Sequence, residues 1–146
     1  MIYLLRHADA EGPNGDDFAR RLTAKGERQA RSAGRALVVL GAEIEACLAS
    51  PRVRAAETAR LACESLEREP ETANELGGGE LNSLGLAAGR GDVLLVGHEP
   101  DLSNEVARLT GARVKLRKGG LAIIDGSTLI ALIGPAALRA IAAGAD

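Results

Sequence analysis

Ile2–Leu5 is a short apolar run that breaks at Arg6-His7, and it reads as a buried strand. A polar, glycine-containing loop follows, Asp9 to Asp17. The period then changes. Across residues 22–40, Leu22, Gly26, Ala30, Ala33, Leu37 and Leu40 fall on one stripe with Arg and Glu opposite, which predicts a helix. Thr23 is its expected N-cap and Gly41 its expected stop. Ala46–Ala49 predicts a second strand. Ser50-Pro51 then offers a cap and a first-turn proline for a helix running to about Arg68.

Residues 70–91 predict a short strand or loop, a turn at Gly77-Gly78-Gly79 and a short helix from Leu81. Val93–Val96 is the next buried strand and ends in Gly97-His98. Pro100 and Asp101 open a helix to about Leu109. Leu121–Ile124 and Leu129–Ile133 flank Asp125-Gly126-Ser127, a hairpin signal, and a last short helix follows Pro135. Strands alternating with helices predict an α/β sandwich with a mostly parallel sheet. Neither a repeat nor a linker interrupts it, so residues 1–146 are expected to form a single domain.

Composition narrows the function classes. The chain is 46% hydrophobic, with one Phe, one Tyr and no Trp, so base stacking on aromatic side chains has no material. A net charge of −2 argues against a general polyanion binder and leaves room for a local basic pocket. Cys47 and Cys63 sit among apolar neighbours and read as reduced core thiols. Met1 leads into an apolar run too short for a secretory signal, and no stretch is long enough to span a membrane. A cytoplasmic protein that binds neither nucleic acid nor membrane is expected.

His7 and His98 are the only histidines, and each comes directly off a buried strand. If those strands are neighbours, the imidazoles face each other at the carboxyl end of the sheet, where ligands of α/β folds sit. Arg6 precedes His7 and needs an anion, for which Asp9 or Glu11 is the structural alternative. Arg52 and Arg54 lie at a helix start, where free N–H groups already favour an anion. Guanidinium forks match phosphate oxygens in pairs. Arg54, which shares a face with Thr58, is the better candidate and Arg52 the weaker.

Leu5-Arg6-His7-Ala8, Ser50-Pro51-x-x-Arg54-Ala55-x-x-Thr58 and Gly97-His98-Glu99-Pro100 resemble the three signature blocks of the histidine phosphatase superfamily. Arg21-Leu22-Thr23-x-x-Gly26 resembles its usual fourth block. Short length and block order make the chain similar to the phosphohistidine phosphatase branch, the SixA type. The resemblance implies a three-layer α/β/α fold of the phosphoglycerate-mutase kind and no metal or other cofactor. It makes His7 the nucleophile and Arg6, Arg54 and His98 the ligands of the transferred phosphoryl group.

Phosphoryl transfer needs an in-line nucleophile and positive charge around the equatorial oxygens. A neutral imidazole serves, through a phosphohistidine intermediate that water then hydrolyses. The general acid stays open among Glu75, Glu80 and Glu99, each of which also reads as a surface charge. A weak or absent acid favours phosphohistidine as substrate, because an imidazole departs near neutral pH with little help and an alkoxide does not. The expected partner is a phosphorylated protein, a histidine phosphotransfer or histidine kinase domain. The alternatives are a small phosphorylated substrate and a phosphoprotein-binding module that does not turn over.

Rival chemistries fail on spacing. A cysteine phosphatase needs Arg six positions after its cysteine, and Val53 stands there after Cys47. Two histidines with Asp9 or Glu11 are too few for a metallohydrolase, and Arg6 would repel the ion. No phosphate loop of the Gly-x-x-x-x-Gly-Lys-Ser/Thr form occurs. Arg113, Lys115, Arg117 and Lys118 alternate with Val114 and Leu116, which reads as an edge strand blunted by charge or as a basic face for an acidic protein.

Overall fold

The computed structural model describes residues 1–12 and 15–144, so Pro13 and Asn14 of the first loop lie outside the described residues. The strands are β1 (Ile2–Arg6), β2 (Ala46–Ala49), β3 (Glu71–Thr72), β4 (Val93–Gly97), β5 (Leu121–Asp125) and β6 (Thr128–Ile133). The helices are α1 (Ala24–Val39), α2 (Val53–Leu66), α3 (Ser83–Ala87), α4 (Asp101–Thr110) and α5 (Pro135–Ala143), with a 3-10 turn at Asn74–Leu76. One mixed sheet has the order β3-β2-β4-β1-β5-β6. Its first four strands are parallel, and β5 and β6 run antiparallel.

Alternate residues of the buried strands feed two separate cores, which makes the molecule three-layered. Tyr3, Leu5, Cys47, Ala49, Leu94 and Val96 face α1, α2 and α5 through Ala33, Leu37, Ala59 and Leu138. Ile2, Leu4, Leu48, Val93 and Leu95 face the other way, onto Leu102 and Val106 of α4 and onto Leu76 and Leu81. Both cysteines are free and buried in the first core. No helix among the described residues is long and apolar enough to cross a membrane.

Topology and register position the site. The connection leaving β1 runs to β2 on one side, and the one leaving β4 runs to β5 on the other. A crevice opens between strand ends whose connections diverge in this way. Arg6 pairs with Gly97, so His7 and His98 leave the sheet side by side. Ala49 pairs with Val96, which brings Ser50 out at the same level.

Local departures have local causes. Helix α2 starts at Val53 with Arg52 as its N-cap, not at Ser50 as expected, and has no side-chain cap. The Ser50 hydroxyl is instead shared between the Arg52 N–H (3.2 Å) and His98. Leu22 precedes α1 and bridges to Ala10, while Thr23 caps the helix as expected by accepting from the Gly26 N–H (3.0 Å). Residues 111–117 form no strand, which overturns the edge-strand reading of the basic segment. The sheet edges are β3 and β6.

Candidate active site

His7 is clamped by its backbone before its ring does anything. Its N–H donates to the Gly97 carbonyl (3.0 Å), and its own carbonyl accepts from the Gly119 N–H (3.0 Å). The next peptide is tied to α2: Ala8 N–H donates to Thr58 Oγ1 (3.0 Å), and the Thr58 hydroxyl donates to the Arg54 carbonyl (2.7 Å). Thr58 therefore joins the His7 turn to the Arg54 turn and is not itself an anion ligand. The fourth sequence block clamps the following residue. The Asp9 carbonyl accepts from the Thr23 N–H (3.1 Å), and the Asp9 carboxylate accepts from the Thr23 hydroxyl (2.8 Å). A Cβ at Gly26 would lie 1.9 Å from the Asp9 carbonyl oxygen, so only glycine lets α1 approach that loop.

The imidazoles of His7 and His98 stand 5.3 Å apart between centroids, tilted by 50°, and are 5% and 7% exposed. His7 Nδ1 lies 2.8 Å from the Ala8 carbonyl oxygen. A carbonyl only accepts, so Nδ1 carries the proton and Nε2 keeps its lone pair. Burial is the main cause that lowers the His7 pKa from 6.5 to about 4. The cations Arg54, Arg6 and Lys118 add to it against the opposing Ala8 hydrogen bond. Burial lowers His98 to about 3, helped by His7, Arg54 and Arg52 and opposed by Asp17. Both rings are neutral at pH 7.

Arginines surround the pair. Arg6 Nη1 donates to the Leu116 carbonyl (2.9 Å). Arg54, 8% exposed, donates through Nη1 to the Asp17 carbonyl (2.9 Å) and through Nη2 to Asp17 Oδ2 (3.4 Å). Arg52 reaches the same carboxylate (2.9 Å) and the Gly77 carbonyl (3.0 Å), and Arg20 reaches Asp17 Oδ1 (3.1 Å). Among the described residues, the buried side-chain nitrogens and oxygens without a hydrogen-bond partner are Arg6 Nε, Arg54 Nε and His98 Nδ1. Dry, unpaired polar groups are costly, about 1–3 kcal/mol each. Their concentration on three of the four predicted residues marks a locus that suits a small polar anion.

Of the candidate acids, Glu99 is engaged in local hydrogen bonds and Glu75 and Glu80 face solvent. The Glu99 carboxylate accepts from the Ser103 N–H (2.9 Å), from the Ser103 hydroxyl and from the Leu116 N–H (3.3 Å). It ties the start of α4 to the segment before β5. Glu75, on the 3-10 turn, and Glu80 are exposed. Among the described residues no group of three or more His, Cys, Asp or Glu side chains is placed to hold a metal ion.

A profile of the Histidine phosphatase superfamily (branch 1) matches residues 2–84, which hold the first two signature blocks and the fourth. The chain belongs to the histidine phosphatase superfamily. An uncharacterized protein of Picosynechococcus sp. is 32% identical over 136 residues, 82% of this chain and 81% of the relative. In fold, this superfamily member is similar to the protein histidine phosphatase SixA complexed with tungstate. The TM-score is 0.80 and the identity 24%, over 92% of this chain and 97% of that one. It is also similar to the alpha-ribazole phosphatase of Shigella flexneri, with TM-score 0.70 and 18% identity, over 92% of this chain and 96% of that one.

Three residues of the site escape the sequence reading. Asp17 is the shared counter-ion of Arg20, Arg52 and Arg54. Ser50 holds His98 through its hydroxyl (2.7 Å to Nε2). Lys118 lies 3.9 Å from the Asp9 carboxylate and adds positive field at His7. The one available signal was the placement of Ser50 at the end of a buried strand, the same signal that marks both histidines.

Proposed function

We propose that this protein is a phosphatase that takes a phosphoryl group onto Nε2 of His7, with phosphohistidine in a cytoplasmic signalling or phosphotransfer protein as its substrate. The observation that carries this reading is the trio of buried, unpartnered nitrogens on Arg6, Arg54 and His98 beside a neutral His7. The Nε2 lone pair attacks phosphorus while the bond from phosphorus to the substrate nitrogen breaks. The departing ring takes a solvent proton on its other nitrogen and leaves as neutral imidazole. Water then attacks phospho-His7, releasing inorganic phosphate and restoring the lone pair. Arg6 and Arg54 neutralise the equatorial oxygens, so the chain supplies its charge from guanidinium groups.

The engagement of Glu99 supports phosphohistidine over an ester. Glu99 spends its oxygens on Ser103 and Leu116. An alkoxide leaving group would need a proton from a carboxylic acid, which an imidazole leaving group does without. A small-molecule phosphomonoesterase is the second reading, favoured by the fold likeness to the alpha-ribazole phosphatase. The test offers a phosphorylated histidine phosphotransfer domain and a panel of phosphate esters side by side. Faster release from the protein is expected; release from esters alone would overturn the substrate assignment. A binding module that does not turn over would show no release that His7→Ala abolishes.

A further inference from the structure

The segment between α4 and β5 places four cations in six residues, Arg113, Lys115, Arg117 and Lys118. Because it belongs to no strand, protection of a sheet edge does not explain its charge. Its two sides do different things. Leu116 is buried, accepts from Arg6 Nη1 (2.9 Å) and donates its N–H to Glu99 (3.3 Å), so the inner side helps to build the anion locus. Arg113, Lys115 and Arg117 are exposed on alternate positions. Among the described residues none of the three forms an ion pair, whereas most of the arginines around the site do.

We propose that Arg113, Lys115 and Arg117 form a docking strip for an acidic protein surface that flanks the phosphohistidine of the substrate. The inference rests on the phosphoprotein reading and adds where that protein is held. Charge complementarity carries it: the whole chain is acidic, with net charge −2, yet these unpaired cations are concentrated on the backbone stretch that touches Arg6. Strips of one sign steer an oppositely charged partner and orient it on arrival. Residues 111–118 contain no aromatic side chain, so the strip offers the bases of a single-stranded nucleic acid nothing to stack against.

The experiment compares the full chain with two triple variants, Arg113→Glu/Lys115→Glu/Arg117→Glu and Arg113→Gln/Lys115→Gln/Arg117→Gln. The substrates are p-nitrophenyl phosphate and an acidic phosphorylated histidine phosphotransfer domain, each assayed at low and high salt. For the phosphoprotein, kcat/KM is expected to fall about tenfold or more in the Glu variant and less in the Gln variant, with the salt dependence flattened in both. Hydrolysis of the ester is expected to stay unchanged, which also reports that the variants fold. Equal loss on both substrates in both variants, or no loss on the phosphoprotein, overturns the strip. So does capture of phosphatidylserine vesicles through these residues with the phosphoprotein rate untouched. If the unaltered chain hydrolyses the ester but not the phosphoprotein, the substrate reading falls and the strip with it. If it hydrolyses both and the Glu variant matches it, only the strip falls.

Discussion

Burial does more than the arginines to keep His7 neutral, and the hydrogen bond from Nδ1 to the Ala8 carbonyl decides which nitrogen is free. With only two histidines in the chain, a nitrogen-15 NMR titration reads both rings without overlap. Neither ring is expected to titrate between pH 8 and pH 5, and His7 is expected to carry its proton on Nδ1. A midpoint near 6.5 for either would contradict the geometry. Replacing Arg54 by Ala removes a forked cation from the developing charge, and kcat is expected to fall about a hundredfold or more. Asp17→Asn is milder. It leaves the backbone carbonyl that accepts from Arg54 Nη1 and removes only the counter-charge, so the change should appear as altered KM and salt dependence.

At the scale of elements, the clamps around His7 are as informative as the ring itself. Thr58→Val leaves the Ala8 N–H buried without an acceptor and is expected to cost about 1–3 kcal/mol of stability in urea unfolding. Glu99→Ala is expected to destabilise α4 and the segment before β5 by about 1 kcal/mol while leaving the pH profile of turnover in place. Loss of the basic limb of that profile would make Glu99 the acid instead. Much of this layer is legible in the sequence. The apolar runs before His7 and His98 read as strands because both faces of β1 and β4 are buried, and Thr23 and Gly41 punctuate α1 with ordinary capping chemistry. Other parts depend on contacts between distant stretches. The Ser50 hydroxyl looks like a helix cap until His98 arrives from β4, and Asp17 looks like loop polarity until three arginines converge on it. The alternation at 113–118 imitates a strand although no neighbouring strand is there to pair with it.

For the whole molecule, two buried neutral histidines tie stability to pH with a definite sign. Their folded pKa values, about 4 and about 3, lie below the ordinary 6.5 of an unfolded chain. The unfolded state binds more protons below pH 6.5, so the histidine contribution is complete above that value. It is lost progressively as pH falls from 6.5 through the folded values of about 4 and about 3. Urea midpoints at pH 7.5 and pH 5 check this: the lower pH should give the lower midpoint, and His98→Gln should shrink the difference. The sheet order brings β1 and β4 together from positions 91 residues apart in sequence, and the paired register Arg6 with Gly97 makes one site from two distant histidines. The most direct measurement of that site's chemistry is to quench the enzyme during turnover and map the phosphoryl group by mass spectrometry. An alkali-stable, acid-labile phosphoryl group on His7, absent from His7→Ala, is the predicted result. A phosphoryl group on any other residue, or turnover that survives in His7→Ala, would contradict it.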